Sequence, residues 1–187
     1  FPEWWGAVGD FVAPVGAGTN DRPAILAAIA AAPEGATIQF LPKDYKVSGG
    51  SITIDRQMYL VGCGHGFVGA SSPATIVKHG TGLYFDTDQH GIILQAVVAG
   101  PRAAVRHMTI APRSADWVAA ATFHGIWMKT ASHLEDVLVT HFAGNGFHIG
   151  SDLFPTNHWS MTRCVAARNR GYGLLIAISP GDGGSTS

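Results

Sequence analysis

The stretch that decides the fold runs from Trp5 to Ser48: it reads WGAVGD, continues through an insert FVAPVGA, and then reads GTNDRPAILAAIAAAPEGATIQFLPKDYKVS. Residues 19–21 are Thr, Asn and Asp, which are all good N-cap residues, and Pro23 fits the first turn of a helix, where a missing N–H costs nothing. Ile25 and Ile29 lie four residues apart among alanines and form one apolar stripe. The pattern therefore predicts a short helix over about residues 21–32.

Two short strands are predicted after this helix. Residues 37–40 read TIQF and residues 46–48 read KVS, and both segments alternate in the way of half-buried strands. Pro42 and Asp44 lie between them and are typical turn residues. The opening of the chain is thus a helix followed by a strand, a turn and a second strand.

In its order and spacing, the stretch from Trp5 to Ser48 resembles the opening of the pectate-lyase-like families, whose fold is a right-handed parallel β-helix. Only the insert from Phe11 to Ala17 departs from the family pattern. The resemblance implies that the predicted helix lies across the N-terminal end of a stack of coils. Such a cover is needed because the last rung of a stacked sheet would otherwise expose unpaired backbone groups and apolar core.

A weak internal repeat in the second half supports such a stack. Four short apolar segments each open with a glycine, at Gly91, Gly125, Gly146 and Gly173. A parallel β-solenoid produces repeats of this size, about 20–35 residues, that vary by loop insertion. A second set of stacked strands appears when each segment is aligned with the segment one coil later in the sequence. Its inward stacks are Val105, Leu134 and Met161, then Met108, Val137 and Cys164, then Ile110, Val139 and Ala166.

Earlier coils are predicted at residues 51–54, 58–61 and 75–78. We therefore predict an all-β protein, a right-handed parallel β-helix of about five or six coils with a short N-terminal capping α-helix. Residues 1–178 are expected to form this single domain. Residues 179–187 are rich in Gly and Ser and are expected to form a flexible C-terminal tail.

Composition narrows the range of functions. Charged residues are 13% of the chain and the formal net charge is −1, which argues against nucleic acid as a partner because phosphate binding needs a basic excess. Every apolar run is far shorter than a membrane-spanning helix needs, so no membrane span is predicted. Cys63 and Cys164 are too few for a disulfide framework or a structural zinc site, and no cofactor is evident.

Alternation between the inward stacks places His107, Asp136 and Arg163 outside on adjacent rungs, about 4.8 Å apart. A carboxylate between Arg and His suits the binding of an acidic sugar, the holding of a cation, or the abstraction of a proton next to a uronate carboxylate. In this catalytic interpretation Arg163 or His107 accepts the proton, and Asp136 orients the side chain that accepts it. In the structural interpretation, opposite charges across rungs only stabilise the sheet, by roughly 0.2–1 kcal/mol per pair.

A calcium site is implied only by the resemblance, because calcium-dependent members of these families gather acidic residues on neighbouring rungs. Ca²⁺ takes six to eight oxygen ligands. Glu135 and Asp136 are adjacent in the sequence and are expected to face different ways, so the sequence shows no multi-carboxylate site. The histidines also lack metal-ligand spacing, and no metal ligand is assigned.

The other sheet is predicted to project an unusually apolar row outward, made of Ile93, Trp127, His148 and Leu175. Trp127 would offer a platform for the apolar face of a sugar ring and His148 a hydrogen bond, which makes these two the candidate substrate-binding residues. Alternatively, Ile93, Trp127 and Leu175 form the interface of a homotrimer, or the N-terminal segment FPEWW covers the row.

Three further polar features receive structural interpretations. The segment Gly64-His65-Gly66 resembles an element of the polygalacturonase-like hydrolases, but it follows a strand where the wider family has a plain turn. His90 and His124 each precede the glycine that opens a strand, which is a corner position. Asn169 is expected to end a strand in the αL conformation, which Asn tolerates at corners.

Together with the resemblance, these features predict a carbohydrate-active protein that acts on or binds an acidic or cell-surface polysaccharide, as a lyase or a glycoside hydrolase. The alternative is a non-catalytic glycan-binding or structural module, such as part of a trimeric phage tailspike-like protein. The sequence features are compatible both with an enzyme and with a non-catalytic module. Either function implies an extracellular place, secreted or on a virion surface.

Overall fold

The computed structural model describes residues 1–12, 16–65, 80–86, 88–95, 103–113, 122–150 and 159–177. The coil predicted at residues 75–78 and the tail predicted at residues 179–187 lie outside the described residues. In the described part of the chain, no helix is long and apolar enough to span a membrane.

The chain begins with a 3₁₀ turn at Pro2–Trp5, followed by an α-helix, α1, at Arg22–Ala31, where the sequence predicts a helix. Short strands follow. They are β1 (Thr37–Gln39), β2 (Asp44–Val47), β3 (Ile52–Ile54), β4 (Tyr59–Val61), β5 (Gly82–Phe85), β6 (Ile92–Leu94), β7 (Ala103–Pro112), β8 (Ile126–Met128), β9 (Ser132–Thr140), β10 (Phe147–Ile149), β11 (Ser160–Thr162), β12 (Val165–Ala167) and β13 (Leu174–Ile176).

The pairings between these strands are parallel. One sheet has the order β3, β6, β8, β10, β13. In the other, β4 and β5 pair with the two halves of β7, β7 pairs with β9, and β11 and β12 pair with the two halves of β9. Each strand therefore meets the strand that the chain reaches one circuit later, and the chain winds as a parallel β-helix.

The register confirms the stacks that the coil-to-coil shifts predict. The predicted rung neighbours pair directly: Val105 with Leu134 and Leu134 with Met161, Met108 with Val137, Ile110 with Val139 and Val139 with Ala166. In the other sheet the segments after the four glycines pair in the predicted order, from Ile92 through Ile126 and Phe147 to Leu174. The inward residues of the strands as far as β10 form one continuous apolar core, whereas Leu174 and Ile176 on β13 are exposed.

The helix α1 covers one end of this core. Its apolar face, made of Ile25, Ala28 and Ile29, is buried and belongs to the same core cluster as the strand residues. Burial of a side chain such as Ile25, which is fully buried, stabilises the fold by about 1.5–3 kcal/mol. The Arg56 guanidinium donates to the carbonyl of Ile29 at 2.6 Å and so satisfies a carbonyl in the last turn of α1.

Asp21 stands at the N-cap position of α1, but its side chain does not cap the helix. Its carboxylate accepts hydrogen bonds from the backbone N–H of Val8 at 2.6 Å, of Gly9 at 3.3 Å and of Lys46 at 3.2 Å. Burial raises the pKa of this carboxyl group, and each of the three hydrogen bonds lowers it by a smaller amount. Asp21 therefore links the segment at Val8 and Gly9 to β2.

Among the described residues, two columns with left-handed backbone accompany the long strands: the first interrupts them, and the second directly follows the ends of β9 and β12. His107, Asp136 and Arg163 have φ of 54°, 54° and 50°, and His141 and Arg168 have φ of 63° and 55°. Left-handed backbone costs a non-glycine residue roughly 1–2 kcal/mol, so the bends of the first column are held by the strand pairing on either side of them.

The αL prediction for Asn169 is wrong by one position, since Arg168 takes that conformation. Asn169 stabilises the corner through hydrogen bonds of its side chain instead. Its amide accepts from the N–H of Phe142 at 2.9 Å and donates to the carbonyl of Val139 at 3.2 Å. The residue therefore bridges two rungs through hydrogen bonds and needs no special backbone.

Candidate functional site

The column of left-handed residues at 107, 136 and 163 decides which side chains face outward. A strand alternates its side chains, but a left-handed residue turns the chain and lets two consecutive side chains point away from the core. Glu135 and Asp136 therefore both lie on the outer face, where each contacts cationic groups. The expectation that these two carboxylates face different ways is wrong for this reason.

Asp136 lies between two imidazoles. Its Oδ2 is 3.1 Å from Nδ1 of His107, and its Oδ1 is 3.2 Å from Nε2 of His65. The hydrogen bond from His107 lowers the pKa of the carboxyl group, and the charge of His65 adds to this effect. Asp136 is thus an ionised acceptor for the Nδ1–H of His107, and the ring of His65 lies at ion-pair distance on its other side.

Arg163 belongs to the same face but pairs with the neighbouring carboxylate. Its Nη2 donates to Oε1 of Glu135 at 2.9 Å, and this bond lowers the pKa of Glu135. Nε of Arg106 and Nε2 of His133 each lie 3.7 Å from Oε2 of Glu135. The predicted row of three residues is therefore two adjoining clusters, one around Asp136 and one around Glu135.

The arrangement gives His107 a defined chemical form. Because its Nδ1 donates to Asp136, the Nε2 atom of a neutral ring carries the lone pair and can take a proton. The side chain of His107 is 36% exposed and that of Asp136 is 29% exposed, so a ligand on the outer face can reach them. An orienting carboxylate behind an imidazole is the arrangement that general-base catalysis uses.

Sequence reasoning did not select four members of this surface, namely His65, Arg106, His133 and Glu135. The signal for His65 is the Gly-His-Gly segment itself, which places the imidazole one rung before His107, where the N–H of Gly64 donates to the carbonyl of His107. The signal for Glu135 is its register opposite Arg106. Among the described residues, no group of three or more His, Cys, Asp or Glu side chains could hold a metal ion.

The second predicted row is also assembled. Ile93, Trp127, His148 and Leu175 are in register on four adjacent strands and all are half-buried. The Trp127 indole donates its N–H to the carbonyl of Gly150 at 2.8 Å. Its ring centroid lies 5.5 Å from that of His148, so the two candidate substrate-binding residues are neighbours.

A cation occupies one face of the Trp127 ring. Nζ of Lys129 lies 3.8 Å from the ring centroid, which is cation–π distance. A sugar ring that stacked on this face would have to displace the ammonium group. The N-terminal 3₁₀ turn, which the sequence offers as another cover for the row, packs against α1.

Comparison with solved structures gives a likeness of fold, whereas no family model matches the chain and no curated protein matches it. The chain is similar to the A-module of the mannuronan C-5 epimerase AlgE4 of Azotobacter vinelandii, with a TM-score of 0.45 and 19% sequence identity. The match covers 92% of this chain and 58% of that structure, so the chain spans little more than half the length of the solved module.

Proposed function

We propose that this chain is a carbohydrate-active right-handed parallel β-helix of about five or six coils that acts on an acidic or cell-surface polysaccharide. The observation that carries the proposal is the position of Asp136, an ionised carboxylate on the outer face that accepts a hydrogen bond from His107, orients its ring and lies 3.2 Å from Nε2 of His65. Left-handed backbone at His107 and Asp136 adds support, since strained backbone clusters at functional sites.

The charges of the site favour a lyase over a hydrolase. Hydrolysis by two carboxyl groups needs one of them protonated near neutral pH, with a raised pKa. Glu135 and Asp136 both have lowered pKa values, because Arg163 bonds to the first and His107 to the second. Neither suits the role of a general acid, whereas an oriented imidazole suits the role of a base.

The proposed reaction is β-elimination on a uronate residue of the polysaccharide. Nε2 of His107 takes the proton from the carbon next to the carboxylate, the electron pair forms the new carbon–carbon double bond, and the glycosidic oxygen leaves and takes a proton from water. Arg163, whose side chain is 61% exposed, turns from Glu135 to the sugar carboxylate. Trp127 and His148 are proposed as further substrate-binding residues, and Ca²⁺ as an optional bridge to the sugar carboxylate.

The test is a panel of acidic and neutral polysaccharides, with and without Ca²⁺, followed by absorbance of the 4,5-unsaturated product and by reducing ends. We expect unsaturated product from an acidic polysaccharide, and its loss in Asp136→Ala with the circular dichroism spectrum unchanged. Reducing ends without unsaturated product would replace the lyase by a hydrolase. No product from any polysaccharide with an intact fold would overturn the enzymatic proposal.

The second candidate is a non-catalytic glycan-binding or structural module, such as part of a trimeric tailspike-like protein. The observation that favours it is the outward row, where apolar side chains stand at both ends: Ile93 next to Trp127, and Leu175 next to His148. A trimer interface would bury these groups. Light scattering coupled to gel filtration tests this: a trimer that Trp127→Glu converts to a monomer supports the module, and a monomeric wild type contradicts it.

A further inference from the structure

A ladder of side chains joins the rungs at the corner that precedes β6, β8 and β10. Nδ1 of His90 accepts the backbone N–H of His124 at 2.9 Å, and Nδ1 of His124 accepts the backbone N–H of Asn145 at 3.1 Å. On the next rung Oδ1 of Asn145 accepts the N–H of Tyr172 at 2.9 Å. At each step, one side chain satisfies the backbone of the following rung.

The two histidines of this ladder are held in one chemical form. A ring nitrogen that accepts an N–H carries no proton, so His90 and His124 must be neutral with the proton on Nε2. His124 is buried, and its ring lies 5.2 Å from that of His90 and 4.3 Å from that of His148. Asn145 fills the equivalent place on the next rung with a group that does not titrate.

The charged surroundings oppose protonation. Within the described part of the chain, the titratable or charged groups that face these two rings are each other, His148 on β10 and Lys129, which follows β8. All of these are cationic when charged. Burial, followed by the charge of Lys129, lowers the pKa of His90 to about 4. Burial, followed by the neighbouring histidines, lowers the pKa of His124 to about 3.

We propose that this corner is an acid-sensitive switch: protonation of His90 and His124 at Nδ1 breaks two hydrogen bonds between rungs and loosens the surface that carries Trp127 and His148. Protonation turns each Nδ1 from an acceptor into a donor that faces a backbone N–H. The ring of His90 lies 5.0 Å from the ring of Trp127, so movement of the corner reaches that row directly. The switch acts whether or not the chain is catalytic.

The direction of the pH effect follows from the lowered pKa values. Both groups titrate near 6.5 in the unfolded chain, so above this pH both states are neutral and the ladder keeps its full stability. Between pH 6.5 and the folded-state pKa values of about 4 and about 3, the unfolded chain binds more protons. The unfolding equilibrium constant therefore rises by up to about tenfold per pH unit for each histidine as the pH falls.

The experiment compares the wild type with the double variant H90N/H124N between pH 7.5 and pH 4.5. Asn keeps a side-chain acceptor, as Asn145 does on its own rung, but cannot be protonated. We expect denaturant unfolding of the wild type to shift to lower midpoints below pH 6.5, and the double variant to lose much of this shift. H133N is the matched control, because His133 is half-buried beside Ser160 on the other sheet, and it should keep the wild-type shift.

A second measurement locates the effect. Amide hydrogen exchange at the N–H groups of His124 and Asn145, corrected for intrinsic rates, should show lower protection in the wild type at pH 5 than at pH 7.5, because the opened corner binds protons that the closed corner does not, while the N–H of Phe142, bonded to Asn169, keeps its protection. A wild type without a pH shift, or a double variant with the full shift, would overturn the proposal. If the double variant does not fold, unchanged protection of the two wild-type amides at pH 5 would overturn it as well.

Discussion

Two groups of imidazoles on this molecule have the same chemistry and opposite surroundings. His65 and His107 lie on an outer face on either side of the carboxylate of Asp136, which accepts a hydrogen bond from His107 and lies at ion-pair distance from His65. His90 and His124 lie at a corner, where each ring accepts a backbone N–H and the described groups around them are cationic when charged. The partner of the ring therefore decides whether an imidazole on this scaffold is available for proton transfer or serves as part of the backbone framework.

The largest expected effect tests the first half of this comparison. We expect His107→Gln to lower turnover of an acidic polysaccharide by about 100-fold or more, which is the range of general-base catalysis. His133→Gln is the control, since His133 borders Glu135 and has no proposed role in proton transfer. Initial rates of unsaturated product measure both. Equal rates in the two variants would remove His107 from the mechanism.

The next effect concerns the acceptor role of the corner. His124→Leu leaves the buried N–H of Asn145 without an acceptor, and we expect this to lower the free energy of unfolding by about 1–3 kcal/mol at pH 7.5. His124→Asn should lose less, because its amide oxygen can accept. Urea denaturation at one pH compares the two variants. If Leu and Asn cost the same, the ladder bond does not hold the corner.

A smaller effect is expected from the left-handed backbone under the candidate site. At His107, with φ of 54°, Gly should be more stable than Ala by about 1 kcal/mol, because Ala is strained in the left-handed conformation. Thr53 lies exposed in β3, where the order should reverse, since Gly weakens a strand. Thermal unfolding of His107→Gly, His107→Ala, Thr53→Gly and Thr53→Ala measures the difference in stability at each position. A more stable Ala at position 107 would contradict the strain at this bend.

The smallest effect is expected at the ion pair beside the site. Glu135→Gln removes the partner of Arg163 on an exposed surface, where salt and solvent screen the interaction. The melting temperature should stay within error of the wild type, while binding of an anionic polysaccharide tightens because Arg163 becomes free to pair with it. A large fall in melting temperature would mean that the pair is structural, and that Arg163 is not available to a ligand.

Much of the fold was accessible from sequence because apolar periodicity is a local property. The shift from one coil to the next identifies the rung neighbours of Val105 and Ile110 from residue types alone, since inward residues must stack on inward residues. The outward residues are less constrained. Arg106 and His107 both face outward because a left-handed bend at His107 lies between the two halves of β7. Strict alternation of side chains along a strand does not predict that bend.

The candidate site was predictable in part for the same reason. His107 and Asp136 were found as rung neighbours, and their contact follows from register alone. His65 was missed as a partner because it reaches Asp136 from a turn, and Arg163 pairs with Glu135 although the register places it next to Asp136. A long side chain such as that of Arg163 can reach carboxylates on more than one neighbouring position, and the residue types alone do not predict which of them it pairs with.

By itself the sequence determined a helix before a stack of parallel strands and the residues that fill the core, because burial of apolar side chains follows period and spacing. Only the tertiary structure decided what each imidazole does. A histidine beside a carboxylate and one beside a backbone N–H are the same letter in a sequence, and the difference lies in which atom stands 3.1 Å from Nδ1. That distance is set by the register between rungs and by the backbone bend, which are properties of the folded chain.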